Sequence, residues 1–334
     1  MSQRMFKAMV VEEGENRKFT RKLTSRRIDE LPPGDVLIKV HYSSLNYKDA
    51  LSAIGNKGVS RNYPHTPGID AAGEVVECST ALISRGQKVL VTGYDLGMNT
   101  TGGFGEYIRV PSKWVVPLPE GLSLRESMIL GTAGFTAALS VWKLAGAGVK
   151  PGDGDILVTG ATGGVGSLAV AILAKAGYRV VAATGKSEEE DYLQQLGASE
   201  VIHRAAVTEG AEKPMLKERW AGVVDAVGGE TLAAALKATR YGGVVTCCGL
   251  VGSSDLTMNV FPFILRGVSL LGVDSVQCPM ETRLQVWKKL AGDWKPERLK
   301  MIGSECSLDE LDEKIEAILK GQVRGRTLVK ILEP

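Results

Sequence analysis

The sequence predicts an α/β protein in which a doubly wound parallel sheet follows a mostly β domain. Three observations carry this. Before about residue 127, short apolar runs are separated by Pro and Gly turns. After Ser123, strands and helices alternate. Between Asp155 and Lys186, one stretch reads strand, glycine turn, helix and strand.

In the first region, strands are expected at 6–11, 36–42, 73–77, 88–92, 105–110 and 114–117. Pro32-Pro33-Gly34-Asp35, Pro67-Gly68, Arg85-Gly86 and Gly102-Gly103 punctuate them. One short helix starts near Tyr47. Many short strands without helical alternation predict a β-barrel-like domain. From Ser123, a helix is expected over 124–144, interrupted at Gly131 and Gly134. After the central stretch come a helix over 187–196, a strand at 200–203, a helix over 212–220 and a strand at 222–227. A helix over 230–238 and strands at 243–248 and 268–273 complete the sheet. The tail carries helices over 281–291 and 308–319 and a strand at 327–332, which returns to the β domain. The expected division is a catalytic domain at 1–127 with 277–334, and a nucleotide-binding Rossmann domain at 128–276.

The central stretch supplies the nucleotide reading. Ile156, Leu157 and Val158 form an apolar run that ends at Gly160, as a buried parallel strand does. Ala161-Thr162-Gly163-Gly164-Val165-Gly166 opens a helix rich in small residues, which Gly177 stops. Ala161 stands at the first glycine of the GxGxxG fingerprint, so the strict motif fails by one residue. The strand–turn–helix–strand spacing still makes this a dinucleotide site, with backbone N–H groups and the helix N-terminus facing a pyrophosphate.

Composition excludes several other classes. The 334 residues are 44% hydrophobic and 23% charged, as in globular chains of two domains. Forty basic against 38 acidic residues give +2, so no electrostatic case exists for nucleic acid or a membrane surface. The N-terminus has no apolar signal segment, and the apolar run at 168–174 is too short to cross a bilayer. Five scattered cysteines without a CxxC pair fit reduced thiols and a cytoplasmic location. The strand at 268–273 ends the sheet with no edge protection, so it either pairs with a second copy in a homodimer or lies under a loop.

Several stretches together resemble one family over essentially the whole chain. They are Ser44-Leu45-Asn46-Tyr47-Lys48-Asp49, Pro67-Gly68-Ile69-Asp70-Ala71-Ala72-Gly73, and Gly131-Thr132-Ala133-Gly134-Phe135-Thr136-Ala137. The glycine turn, Asp225-Ala226-Val227-Gly228-Gly229, the run from Phe261 to Val268, Gly272-Val273-Asp274-Ser275 and Gly325-Arg326-Thr327-Leu328-Val329-Lys330 join them. The chain resembles the zinc-free branch of the medium-chain dehydrogenase/reductase superfamily, which includes quinone oxidoreductases and NADPH-dependent acryloyl-CoA reductases. The resemblance implies a GroES-like β-barrel catalytic domain and a Rossmann domain. It also implies zinc-independent, NADPH-dependent reduction of the C=C bond of an α,β-unsaturated acyl-CoA; NADPH:quinone reduction is the alternative. A catalytically idle NADPH-binding protein is the reading from another class.

The chemistry divides between two groups of residues. Where zinc relatives place a Cys or His and a Gly-His-Glu, this chain has Asn46 and Gly68-Ile69-Asp70, so no metal is expected. His41 and His65 read as structural. Asn46 is a helix N-cap, a donor with Tyr47 to a substrate carbonyl, or both; by resemblance Tyr47 also contacts the cofactor. Lys48 and Asp49 are either an exposed pair or a support for that site. Past the second strand, Thr184-Gly185-Lys186 offers a hydroxyl and an ammonium, where NAD users have a carboxylate, and so suits a 2′-phosphate. Arg204 either reaches the same phosphate or is a surface charge. By resemblance, Gly249-Leu250, Ile264 and Ser275 line the nicotinamide side. Arg326 is either a cofactor contact or a structural ion pair. The glycine-rich loop 94–103 is expected at the rim of the substrate pocket, with Tyr94 lining it.

Overall fold

The computed structural model describes residues 4–81 and 83–332. Residues 1–3, part of the N-terminal segment read above for a signal, lie outside the described residues. In chain order the first elements are β1 (Met5–Glu13), β2 (Phe19–Arg27), β3 (Val36–Leu45), α1 (Tyr47–Ala53), β4 (Asp70–Cys78), β5 (Lys88–Thr92), β6 (Tyr107–Val110) and β7 (Val116–Pro117). Next come α2 (Leu124–Gly146), β8 (Asp155–Val158), α3 (Gly164–Lys175), β9 (Arg179–Thr184), α4 (Glu190–Gln195), β10 (Glu200–His203) and α5 (Ala205–Thr208). They are followed by β11 (Trp220–Asp225), α6 (Gly229–Lys237), β12 (Thr239–Cys247), α7 (Phe261–Arg266) and β13 (Ser269–Gly272). The last are α8 (Met280–Ala291), α9 (Leu299–Ile302), β14 (Gly303–Ser307), α10 (Leu311–Leu319) and β15 (Arg326–Lys330).

The chain divides into two compact units: Met1–Thr132 with Val276–Gln285 and Leu299–Pro334, and Ala133–Ser275 with Val286–Arg298. The first boundary therefore falls at Thr132 rather than near 127, and 286–298 leaves the tail expected in the β domain. Aromatic packing explains that transfer. Trp287 stacks on Phe135 at 6.0 Å, and Trp294 meets Trp142 edge-on at 6.3 Å, all inside the second unit.

In the first unit the sheet runs β14-β15-β3-β4-β5-β7, with β6 also on β3. β3 gives Val36–Lys39 to β6 and Tyr42–Leu45 to β15, while β4 takes its other edge. Splitting one edge between two partners bends the sheet around Val36, Ile38, Val89, Val91, Ile108 and Val110, all fully buried. β1 and β2 form a separate antiparallel hairpin. β2 escaped the sequence reading because FTRKLTSRR is polar and only half-buried on one face.

In the second unit the order is β10-β9-β8-β11-β12-β13, every pairing parallel. This is a doubly wound sheet whose order reverses between β8 and β11, so the ends of those two strands flank the ligand crevice expected in such sheets. The helix expected over 212–220 is not formed. Pro214 removes a backbone donor there, and the segment is tied along α6 by Leu216 N–H to Lys237 O (3.1 Å) and Arg219 N–H to Ala238 O (2.8 Å). Trp220 is the buried first residue of β11. α2 breaks at Gly131 (φ 52°, ψ −155°) and continues through Gly134. By length and composition α2 is apolar enough to cross a membrane, but 78% of its apolar window is buried inside the protein, as for a core helix.

Candidate active site

In the first unit, the functional residues gather at one end of the sheet. Tyr42 pairs with Ala72 and Asp70 with Thr92, so the end of β3, the start of β4 and the end of β5 coincide. Asn46 leaves β3 extended (φ −117°, ψ 158°) and caps α1. Its backbone N–H donates to Asp49 Oδ2 at 2.8 Å. Asp49 Oδ1 accepts from the N–H groups of Ile69 (2.8 Å) and Gly68 (3.2 Å), which fastens the Gly68-Ile69-Asp70 turn onto α1.

Asp70 is the hub. Its Oδ2 accepts from Ser44 Oγ (2.6 Å), Asn46 Nδ2 (2.8 Å) and Thr132 N–H (2.9 Å), and its Oδ1 from Thr132 Oγ1 (2.5 Å). Arg326 Nη2 lies 3.7 Å from Asp70 Oδ2 and donates to Ser44 Oγ at 2.9 Å. The same guanidinium donates to the carbonyls of Leu45 (3.1 Å) and Ile129 (3.3 Å). Asp70 thus caps the part of α2 after Gly131, and Arg326 takes a carbonyl from the part before it. Gly131 is required here. Its φ is positive, and an added Cβ would lie 2.5 Å from Ser44 Oγ and 2.6 Å from Asp70 Oδ2.

This geometry bears on three of the sequence readings. Asn46 Nδ2 faces only acceptors, Asp70 Oδ2, Asp49 Oδ2 (3.2 Å) and Ser44 O (3.3 Å), so its two protons are used inside the protein. In this structure the Asn46 side chain is engaged with Asp70, Asp49 and the Ser44 carbonyl at the start of α1. Asp49 is fully buried and not half of an exposed pair. Burial and the neighbouring Asp70 push its carboxyl up to about 7, against the pull of the Asn46 and Ile69 N–H groups. Arg326 is a structural ion pair at 3% exposure; burial holds its pKa below the ordinary value, and Asp70 and Asp49 draw it back up. Tyr47, at the first turn of α1, stays 46% exposed.

A zinc ion does not fit these residues. Ile69 offers no donor, the Asn46 amide is turned to Asp70, and Asp70 is already neutralised by a guanidinium. Among the described residues, no three of His, Cys, Asp and Glu gather to hold a metal.

The second unit carries the nucleotide residues. β8 runs into Gly160 (φ 59°), and Gly163 caps α3 in extended conformation (φ −77°, ψ 176°). Gly163, Gly164 and Val165 stay partly open to solvent at the head of α3, where its first N–H groups have no helical partner. Gly166 is buried, and a Cβ there would come within 2.2 Å of Gly160 O. Glycine is needed at that position for the helix to pack on the turn.

At the end of β9, Thr184 Oγ1 accepts the Lys186 N–H at 3.0 Å and lies 3.4 Å from Thr162 Oγ1. Thr184 is 4% exposed, so it shapes the turn from beneath. Arg204 N–H donates to Thr184 O at 2.8 Å, and its side chain lies over Gly185, whose missing Cβ would sit 2.9 Å from Nε. Thr184, Gly185, Lys186 and Arg204 therefore form one cationic turn. Further along, Gly249 must be glycine, because a Cβ would come within 2.1 Å of Ala226 O. Leu250 and Ile264 are 68% and 69% exposed. Ser275 Oγ accepts from Thr136 Oγ1 at 2.8 Å.

Comparison with known proteins agrees with both halves. Residues 32–120 match the family model of the alcohol dehydrogenase GroES-like domain, and 164–291 match that of the zinc-binding dehydrogenase domain. Asn46 and Gly68-Ile69-Asp70, which stand where zinc relatives have ligands, fall in the first match. The chain is 50% identical to YhfP of Bacillus subtilis over 304 residues, 91% of this chain and 92% of YhfP. It is 45% identical to the acrylyl-CoA reductase AcuI of Ruegeria pomeroyi over 328 residues, 98% of this chain and 99% of AcuI. The yhdH oxidoreductase of Salmonella enterica, solved with NADP, superposes with a TM-score of 0.94 at 44% identity over 98% of this chain and 100% of its own. YhfP, solved with NAD bound, superposes at 0.96 with 48% identity over 98% and 99%. A Rossmann unit, a GroES-like unit and such relatives over nearly the full length lead to one assignment: the chain belongs to the medium-chain dehydrogenase/reductase family, among its quinone oxidoreductases and acrylyl-CoA reductases.

Proposed function

We propose that the protein is a cytoplasmic, NADPH-dependent reductase of the C=C bond of α,β-unsaturated acyl-CoA, such as acryloyl-CoA, working without zinc. The observation that carries the reading is the buried Asp70, neutralised by Arg326 and bonded by Ser44, Asn46 and Thr132 where a zinc relative has its metal ligands. These donors leave no metal to polarise an isolated carbonyl. A C=C conjugated to a thioester carries its own sink for the developing charge. The full-length likeness to an acrylyl-CoA reductase supports the same substrate class.

When bound, NADPH supplies a hydride to the β-carbon. Lys186 and Arg204 hold its 2′-phosphate, with Thr184 setting the turn, and Gly163, Gly164, Val165 and Gly166 with the N-terminus of α3 hold the pyrophosphate. Within the second unit, Leu250, Ile264 and Ser275 line the nicotinamide side, and Tyr47 is a further cofactor contact implied by the family resemblance. The proton that completes the reduction at the α-carbon comes from Tyr47 or from solvent. NADPH:quinone reduction is the second reading, favoured by YhfP, whose name provisionally assigns it to the quinone oxidoreductases. Steady-state NADPH oxidation with acryloyl-CoA, crotonyl-CoA and a small quinone separates the two. Enoyl-CoA turnover that is insensitive to chelator, in protein without stoichiometric zinc, is expected. Quinone turnover alone hands the case to the second reading.

Among the described residues β13 pairs only with β12, and this sheet edge supports a homodimer. β13 closes the sheet with Leu270 and Leu271 half-buried, and α7 before it exposes Phe261 (40%) and Leu265 (61%). Pairing β13 with its copy satisfies an open backbone edge. Light scattering is expected to give twice the 35.6 kDa chain mass, and a monomeric mass refutes the pairing.

A further inference from the structure

Tyr94 has an unusual backbone for its side chain. Among the described residues, three non-glycine residues take a positive φ: Asn16 and Arg17 at the tip of the β1–β2 hairpin, and Tyr94 (φ 52°). A hairpin tip commonly needs that conformation, whereas an aromatic residue directly after a strand does not. Gly93 before it is also left-handed (φ 75°), so the chain turns sharply on leaving β5. Such strain persists only where the surroundings hold it.

The surroundings hold the ring as well. Trp114 stacks parallel to it, centroids 5.5 Å apart at 3°, and the Arg283 guanidinium lies 4.5 Å from the ring centre. Arg283 is fully buried and donates to Thr92 O (2.9 Å), Thr92 Oγ1 (3.0 Å) and Val276 O (3.2 Å). Tyr94 N–H donates to the same Val276 carbonyl at 3.1 Å. The loop beyond is bolted to the Asp70 turn by Gly93 N–H to Ile69 O (3.0 Å), Gly102 N–H to Thr66 O (2.8 Å) and Gly103 N–H to Gly68 O (2.8 Å). After all this fixing, the Tyr94 hydroxyl makes no hydrogen bond among the described residues. A half-buried tyrosine ordinarily finds a partner.

Location supplies the purpose. Thr92 pairs with Asp70, so Tyr94 leaves the same end of the sheet that carries Asn46 and Tyr47. Asn46 has no proton to spare, and Tyr47 is exposed, with no ring stacked on it among the described residues. A donor that stabilises charge in a transition state works best when fixed beforehand.

We propose that Tyr94 is a catalytic residue whose hydroxyl donates a hydrogen bond to the thioester carbonyl oxygen of the acyl-CoA. Its O–H bond stays intact. As the β-carbon gains its hydrogen, the C=C electron pair moves toward the carbonyl and negative charge collects on that oxygen, which Tyr94 stabilises. The α-carbon proton comes from elsewhere. This rests on the enoyl-CoA reading above.

Wild type, Tyr94→Phe and Tyr47→Phe are compared on acryloyl-CoA, with NADPH affinity measured by fluorescence and stability by thermal melting. Tyr94→Phe keeps the stacked ring and is expected to lower kcat by roughly 10- to 100-fold with NADPH affinity and Tm unchanged. Tyr94→Asn, which adopts a left-handed backbone more easily, is expected to stay folded and be at least as slow. Unchanged kcat in Tyr94→Phe with an active wild type overturns the proposal, as does a loss confined to Tyr47→Phe. A fall in kcat accompanied by weaker NADPH binding or a lower Tm shows a structural role and overturns it too. A wild type inactive on every enoyl-CoA overturns the functional reading first, and the donor role with it.

Discussion

Arg326→Met is expected to destabilise the protein by about 3–5 kcal/mol, the usual consequence of removing one partner from a buried ion pair. The guanidinium is 3% exposed and serves Asp70, Ser44, Leu45 and Ile129 at once. Without it Asp70 and Asp49 remain, both fully buried. Thermal melting is expected to fall by on the order of 10 °C, given ~2–4 °C per kcal/mol at this domain size. The effect should depend on pH. Asp49 titrates at about 7 in the folded protein and near the ordinary 3.8 when unfolded. The folded state therefore binds more protons in that window, and stability declines as pH rises from about 4 to 7. Removing the nearby cation sharpens that decline, so the Tm gap between variant and wild type should be wider at pH 8 than at pH 5.5. Adding Asp70→Asn to the variant should recover part of the loss, which separates the charge effect from lost packing. Equal melting of Arg326→Met and wild type at both pH values would show that the cluster does not depend on the ion pair.

That cluster also marks the limit of reading the chain without its fold. The central stretch was legible because its signals are local. An apolar run, a glycine turn and a small-residue helix follow one another within 155–186, and β8, α3 and β9 stand where that pattern puts them. The buried polar site is assembled from the far ends of the chain. Ser44 and Arg326 are 282 residues apart, and Asp70 and Thr132 are 62 apart. Each lies in a stretch that resembles the family, but nothing within one stretch says that the others neutralise it. Lys48-Asp49 illustrates the difficulty, since adjacent opposite charges read equally as an exposed pair or as a support until the Gly68-Ile69-Asp70 turn is seen to bond the aspartate. Strands such as β2, whose half-buried positions hold Arg21, Arg26 and Arg27 as well as Phe19 and Leu23, give too little periodicity to be separated from a loop. The helix expected over 212–220 is not formed because Pro214 lacks a backbone donor and the segment instead bonds along α6, through Leu216 N–H to Lys237 O and Arg219 N–H to Ala238 O.

Lys186→Ala is expected to raise KM for NADPH about 10- to 100-fold and to leave KM for NADH nearly unchanged. One charge-assisted hydrogen bond is worth ~1.5–3 kcal/mol, and each ~1.4 kcal/mol is about tenfold in affinity. Arg204 is the second cation in the argument, and its side chain lies over Gly185, next to Lys186 in the same turn. Arg204 should therefore retain part of the phosphate affinity in Lys186→Ala, and Arg204→Ala alone should cause a smaller rise in KM. The double variant should lose the preference altogether. Thr184→Val should also weaken NADPH binding, although its hydroxyl is buried, because it removes the acceptor that holds the Lys186 N–H at 3.0 Å. None of these changes touches the ribose hydroxyls of NADH, so a loss shared equally by both cofactors would mean that the turn collapsed rather than that a phosphate contact was removed. YhfP was solved with NAD bound, so occupancy of the cleft by the unphosphorylated cofactor is a property of a near relative. The decisive quantity is therefore the ratio of kcat/KM for the two cofactors in the wild type, and a ratio near one would show that Lys186 and Arg204 do not read the phosphate.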